Sequence, residues 1–230
     1  MSLKNTNHLA EQLLDNVRKK QDYTDILNHI GSLKYSGLLE NLNSNAKKNA
    51  FWINIYNAFF QIIRQATDID KSKVYTTRTI CIAGVFFSLD DIEHGILRRY
   101  RYKKSLGYLP NLWASKSIKK LAVSAVDYRI HFALNCGAIS CPPIRFYVLS
   151  ELENQLNLAT QSFLKQETDI DPISKTVHVT RLFLWFLGDF GGRKGIRRIL
   201  NEQLNFNSNG YKLIFKPYNW DEQLDNFINN

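Results

Sequence analysis

Asn49-Ala-Phe-Trp-Ile-Asn-Ile-Tyr-Asn-Ala-Phe-Phe-Gln-Ile-Ile63 carries no charged residue. Phe51, Trp52, Ile55, Tyr56, Phe59, Phe60, Ile62 and Ile63 would cover most of a helix circumference, so the stretch predicts a helix buried on nearly all sides. Asn54, Asn57 and Gln61 fall at i, i+3 and i+7, in one narrow stripe. Buried amides need partners. They either satisfy neighbouring backbone groups or face a polar pocket, with Asn54 and Asn57 as ligand contacts. Ser44 to Lys48 is the polar lead into this helix.

Outward from that helix, Leu3 to Ile30 reads as helical, with Leu9, Leu13, Leu14 and Val17 at helical spacing. Thr76 to Ile82 and Val85 to Phe87 read as two short strands of a hairpin around Ala83-Gly84. Ser88 caps a helix with Asp90 and Asp91 in its first turn. After a long loop with a short helix near Ser117 to Val123, Arg129 to Asn135 alternates as a strand. An amphipathic helix (150–165), a strand (176–180), an aromatic helix (182–189), a basic helix to Leu204 and a strand (211–215) complete the chain. Strands and helices are interspersed without a regular βαβ rhythm or repeat. The expectation is α+β: a helix-rich single domain with a small, mostly antiparallel sheet. Residues 1–34 would form a helical extension packed on a core at 35–226.

Two places carry chemistry. In the helix after Ser88, a period of 3.6 puts Leu89, Ile92, Ile96, Leu97 and Tyr100 on one apolar face with Glu93 in its middle, and His94, Arg98 and Arg101 on the polar side. A carboxylate turned inward needs a partner or a raised pKa. The second place is Asp127-Tyr-Arg-Ile-His-Phe-Ala-Leu-Asn-Cys-Gly-Ala-Ile-Ser-Cys-Pro-Pro143, which puts one histidine and two of the three cysteines within eleven residues. His131, Ala133 and Asn135 would share one strand face.

The chain has 230 residues, 44% hydrophobic and 13% aromatic, enough to bury a large core. No apolar run approaches the roughly 20 residues that span a bilayer. The N-terminal residues lack a signal-like apolar stretch, so a cytoplasmic location is expected. Three cysteines predict reduced thiols rather than a disulfide framework. Cys81 reads as a core residue. The net charge of +9 is partly clustered at Arg98–Lys104, Lys116–Lys120 and Arg193–Arg198. Such a surface is either simply solvated or suits an acidic protein, an anionic surface or nucleic acid. Phosphate-loop, dinucleotide, zinc-protease and serine-elbow motifs are absent, and no cofactor is expected.

Phe51-Trp-Ile-Asn-Ile-Tyr-Asn-Ala58, Ser88-Leu-Asp-Asp-Ile-Glu-His-Gly-Ile-Leu-Arg98, His131 through Pro143 and Asp189-Phe-Gly191 resemble, in order, the signature blocks of the family catalogued as domain of unknown function 547. The blocks cover roughly residues 35 to 220. The family tends to finish with Tyr-Asp-Trp-Ser-Leu-Asn, from which Tyr218-Asn-Trp-Asp-Glu-Gln-Leu-Asp-Asn226 departs. The resemblance implies relationship rather than activity. It places Asn54, Asn57, Glu93, His94, His131, Cys136 and Cys141 inside signature blocks.

The residues support three readings. In a cysteine-dependent hydrolase or acyl-transferase acting on a small acyl or peptide substrate, Cys141 or Cys136 is the nucleophile, His131 the base and Glu93 its orienting group. Asn54 or Asn57 then donates to the oxyanion, and His94 and Asn135 contact ligand. Cys141 is favoured if Pro142-Pro143 opens a helical turn. That chemistry suits a papain-like or transglutaminase-like arrangement, although here the histidine precedes the cysteines. In a zinc site, His131, Cys136 and Cys141 supply three ligands. In a non-enzymatic binding module the cluster closes the core and the basic stretches make the contacts.

Overall fold

The computed structural model describes residues 6–66 and 70–228; Leu3 to Asn5 of the first expected helix lie outside them. Helix α4 (Asn45–Gln65) is the axis of the fold, capped by Ser44, whose hydroxyl accepts from the Lys47 amide at 3.2 Å. Every residue from Asn49 to Gln61 is buried. Helix α1 (Thr6–Lys19) packs along it with Leu9, Ala10, Leu13, Leu14 and Val17. The expected first helix is in fact two, because Lys20 takes a left-handed φ of 55° and α2 restarts at Thr24–Ser32. Helix α3 (Tyr35–Asn41) leads into α4.

Strands β1 (Ile80–Ile82) and β2 (Val85–Phe87) form the expected antiparallel hairpin, Ile80 opposite Phe87. Ala83 and Gly84 both have positive φ, as a two-residue primed turn requires. The amides of that turn donate to Ile30 and Gly31 of α2, which docks the hairpin on the helices.

The chain then forms a π-helix, Asp91–Leu97, with Arg98 N–H donating to the Glu93 carbonyl at 2.9 Å. Ser88 caps its start, the hydroxyl accepting from Asp91 N–H at 3.1 Å and the Ser88 amide donating back to the Asp91 carboxylate at 3.1 Å. The i→i+5 pattern widens the turn. Two of the residues assigned to an outer polar face by a period of 3.6 therefore come inside: Arg98 is fully buried and the His94 side chain is only 12% exposed.

Helix α5 (Lys116–Leu121) packs on the π-helix. The expected strand 129–135 is instead a 3-10 turn, Tyr128–Phe132, followed by irregular backbone. Asp127 explains the start: its carboxylate accepts from Arg129 N–H at 3.0 Å and closes a turn. Ile130, His131 and Phe132 are all buried, so the two-residue alternation does not exist.

Helix α6 (Leu152–Glu167) leads into a small sheet of β3 (Asp169–Asp171), β4 (Thr176–Val179) and, after α7 (Leu182–Trp185) and α8 (Gly192–Leu204), β5 (Lys212–Phe215). The order is β3-β4-β5, antiparallel then parallel. The fold is thus helix-rich α+β, with two small sheets rather than one. A core around α1 and α4 and a second around α6, α8 and the sheet meet at the 3-10 turn, where Ile130 belongs to the first and Phe132 to the second.

Two asparagines join α4 to the irregular backbone beyond that turn, and a third ties that backbone to itself. Asn54 donates to the Tyr147 carbonyl (2.8 Å) and accepts from its amide (3.1 Å). Asn57 donates to the Ala133 carbonyl (2.9 Å) and accepts from Asn135 N–H (2.9 Å). Asn135 in turn donates to the Pro142 carbonyl (2.7 Å) and accepts from Gly137 N–H (2.8 Å).

Replacing Asn57 by alanine leaves a buried N–H and a buried C=O without partners. The expected loss is roughly 2–5 kcal/mol of unfolding free energy, read from urea denaturation.

Candidate active site

The Asn135 bridges define a tight loop whose ends are Cys136 and Cys141. Gly137 turns it with φ 73°, and a Cβ there would come 2.6 Å from the Phe60 ring of α4, so only glycine lets the loop lie on the helix. The two Cα atoms end 6.1 Å apart and the cysteines are joined as a disulfide. This corrects the expectation of reduced thiols: spacing alone did not reveal that the loop folds back. Pro142-Pro143 opens no helix, so the dipole argument for Cys141 also falls.

Tyr218, from the C-terminal segment, lays its hydroxyl 3.0 Å from the Cys141 sulfur and 3.2 Å from that of Cys136. With no hydrogen on either sulfur, the phenol is the donor. Burial, and then the neighbouring Tyr75 and Glu93, push its pKa up, so it keeps its proton. The Cys136 amide donates to the Cys141 sulfur at 3.0 Å.

His131 enters the same region from the 3-10 turn. Its Nε2 lies 3.0 Å from Oδ2 of Asp189, and Arg98 Nε donates to that same oxygen at 2.6 Å. The side chains of Arg98 and Asp189 are both fully buried. Because the carboxylate accepts, His131 carries its proton on Nε2, and among the described residues nothing is bonded to its Nδ1. Burial pushes the His131 pKa down, against the pull of Asp189. Burial also works to raise Asp189, but His131 and Arg98 together hold it below the ordinary value. Phe186 stacks on the His131 ring at 3.9 Å and lies 4.5 Å from the Arg98 guanidinium.

The backbone approach behind Asp189 is as tight as the ion pair. Gly188 N–H donates to the Leu106 carbonyl at 2.7 Å, and Gly107, at φ 87°, passes so close that a Cβ would sit 2.5 Å from Asp189 Oδ1.

Glu93 and His94 come from the π-helix. Tyr56 of α4 donates to Glu93 at 3.2 Å. Arg98 donates to Nδ1 of His94 at 2.7 Å, which leaves Nε2–H directed toward Asp90 at 3.6 Å. Burial, reinforced by the Arg98 charge, pushes the His94 imidazole down to about 3.

These groups open on one cavity of about 400 Å³, lined by Glu93, His94, His131, Cys136 and Cys141. Tyr75, Trp185, Phe186, Tyr218 and Trp220 form its aromatic walls, and Lys103, Lys104 and Leu106 also line it. Trp220 stacks on Trp185 at 5.4 Å.

Glu93, His94, His131, Cys136 and Cys141 are thus brought together. Asn54, Asn57 and Asn135 are not: their amides are taken up by backbone and none lines the cavity. The group orienting His131 is Asp189, not Glu93. The zinc set is not assembled, since the sulfurs are bonded to each other and His131 Nε2 faces Asp189. Among the described residues no group of three His, Cys, Asp or Glu side chains is arranged to hold a metal ion. Sequence reasoning missed Arg98, Phe186 and Tyr218 as site residues. Asp189 was visible only as part of a signature block.

The family model described as "Protein of unknown function, DUF547" matches residues 39–164, more than half of the chain, and the chain belongs to that family. The match contains Glu93, His94, His131 and both cysteines, whereas Asp189 and Tyr218 lie beyond it. No curated protein and no solved structure matches the chain. Among the described residues no helix is long and apolar enough to cross a membrane.

The buried imidazole of His94 sets a pH dependence. The unfolded chain takes up this proton near pH 6.5, while the folded protein refuses it until about pH 3. Stability from this group is full above pH 6.5 and is lost as the pH falls through that window, by about 2 kcal/mol at pH 5. Urea denaturation at pH 8 and pH 5 should show that difference, and His94→Gln should reduce it.

Proposed function

We propose that this member of the DUF547 family is a thiol-dependent hydrolase or acyl-transferase, held inactive while Cys136 and Cys141 are joined and active once a dithiol opens the bond. The observation that carries the reading is the state of His131. Its Nε2–H is fixed on a buried Asp189–Arg98 pair, Nδ1 has no bonded partner among the described residues, and the residue lines the same cavity as both cysteines. An imidazole held through one nitrogen, with the other free, is the arrangement a general base needs.

Two electrons and two protons from the dithiol reduce the disulfide, and the dithiol itself becomes a disulfide. Cys141 is the better nucleophile where it stands, because the Cys136 amide and the Tyr218 hydroxyl both favour a thiolate there. Its proton passes to Nδ1 of His131 as the sulfur bonds to the acyl carbon. The bond from that carbon to the leaving group breaks, and His131 returns the proton to the leaving group. Water, or another nucleophile in a transferase, then attacks the thioester. Its proton goes to His131 and on to the departing sulfur.

Glu93, held by Tyr56, supplies a carboxylate that accepts from a substrate N–H or O–H. The aromatic walls suit a small acyl or peptide substrate with an apolar portion. Asp189 is a positioning residue.

The test is mass spectrometry of the reduced protein after exposure to p-nitrophenyl butyrate. A butyryl adduct on Cys141 or Cys136, formed below pH 8 and lost in His131→Ala, is expected. Asp189→Asn should slow acylation and shift its pH profile, because the imidazole loses its orientation. Thiols that stay unacylated in folded, reduced protein would refute the reading and leave the cavity as a binding pocket.

A further inference from the structure

Between Arg99 and Lys120 the chain carries seven cations, Arg99, Arg101, Lys103, Lys104, Lys116, Lys119 and Lys120, and no acidic residue. The same stretch holds much of the large apolar surface that the molecule leaves in solvent. Leu109 is 62% exposed, Leu112 71% and Trp113 88%.

These side chains stand on ordered backbone. Tyr102 N–H donates to the Leu109 carbonyl at 2.8 Å and Asn111 N–H to the Tyr100 carbonyl at 2.6 Å, so residues 100–111 form a closed excursion. Asn111 then fixes the next turn, its side-chain oxygen accepting from Trp113 N–H at 3.1 Å. A folded chain that holds a tryptophan and two leucines outward on hydrogen-bonded turns keeps them exposed at a cost in water, which is a feature of interaction surfaces.

We propose that residues 99–120 dock the protein on an anionic phospholipid bilayer. Both halves of the stretch match that one occupant. Among the described residues Arg99, Lys104, Lys116 and Lys120 have no carboxylate partner. Their charges are available to acidic headgroups, which attract basic segments next to a membrane. Trp113, Leu109 and Leu112 gain by entering the interfacial region, where an indole sits at headgroup level and leucines reach the acyl chains. A nucleic acid would satisfy the cations but offers the two leucines no apolar phase.

The position adds a consequence. Lys103, Lys104 and Leu106 of the same excursion line the cavity, so docking brings the cavity's rim close to the membrane surface. The docking does not depend on the cysteine chemistry, and its test reads binding alone.

The experiment is sedimentation of the full chain with vesicles of phosphatidylcholine alone and of phosphatidylcholine with about 30 mol % phosphatidylserine. Binding to the second and not the first is expected. Leu112→Ala with Trp113→Ala should weaken it roughly tenfold or more at unchanged net charge. Lys104→Gln, Lys116→Gln and Lys120→Gln should weaken it by roughly fivefold for each charge removed. All five positions are exposed, so the fold should persist, and circular dichroism checks it. No binding to the anionic vesicles would overturn the proposal, as would binding indifferent to loss of Leu112 and Trp113. Duplex DNA that binds as tightly and displaces the vesicles would assign the stretch to nucleic acid instead.

Discussion

The site depends on a set of buried amide-to-backbone hydrogen bonds. From Ala133 to Tyr147 the chain has no helix or strand to satisfy its polar backbone, yet much of it is buried. The C-terminal segment supplies some of its partners, in isolated bridges of Ala138 with Glu222 and Ile144 with Phe227, and buried side chains must supply others. Asn54 and Asn57 do so from α4, and Asn135 does so from within the segment. This explains why α4, buried without a break from Asn49 to Gln61, keeps asparagines at its centre. Together with the bridges to the C-terminal segment, they take the place of a regular neighbouring strand.

On that platform sits the group of Arg98, Asp189 and His131. A buried ion pair is costly to desolvate and contributes little net stability, although removing one partner is severely destabilising. Here Asp189 takes two donors on one oxygen, and the shared Phe186 ring packs against both donor side chains. The arrangement fixes a histidine in one orientation and one tautomer. The π-helix is its precondition, because the wider turn is what brings Arg98 and His94 to the inside.

The sequence made α4, the Ala83-Gly84 hairpin, α6 and β5 legible, since each rests on local pattern: an uncharged run, a primed turn, a helical or alternating period. It also singled out Glu93, His131 and the two cysteines. Three features escaped it for physical reasons. The π-helix differs from an α-helix by one residue per hydrogen-bonded turn, and the assumed period put His94 and Arg98 on the wrong face. The run 129–135 imitates alternation but is buried without a break from Ile130 to Asn135, because two cores meet there. Asp189 and Tyr218 reach the site from 58 residues beyond His131 and 77 beyond Cys141, a distance no local pattern spans.

The claim that amide bridges hold irregular backbone as firmly as a helix is tested most directly by native-state hydrogen exchange at the Asn135, Gly137 and Tyr147 amides. Each donates to an asparagine carbonyl oxygen in the interior. The account predicts that all three exchange only through global unfolding, as slowly as the amides in the middle of α4. Exchange as fast as in the exposed turn at Ile173–Lys175 would contradict it and leave the site without the rigid support on which its chemistry rests.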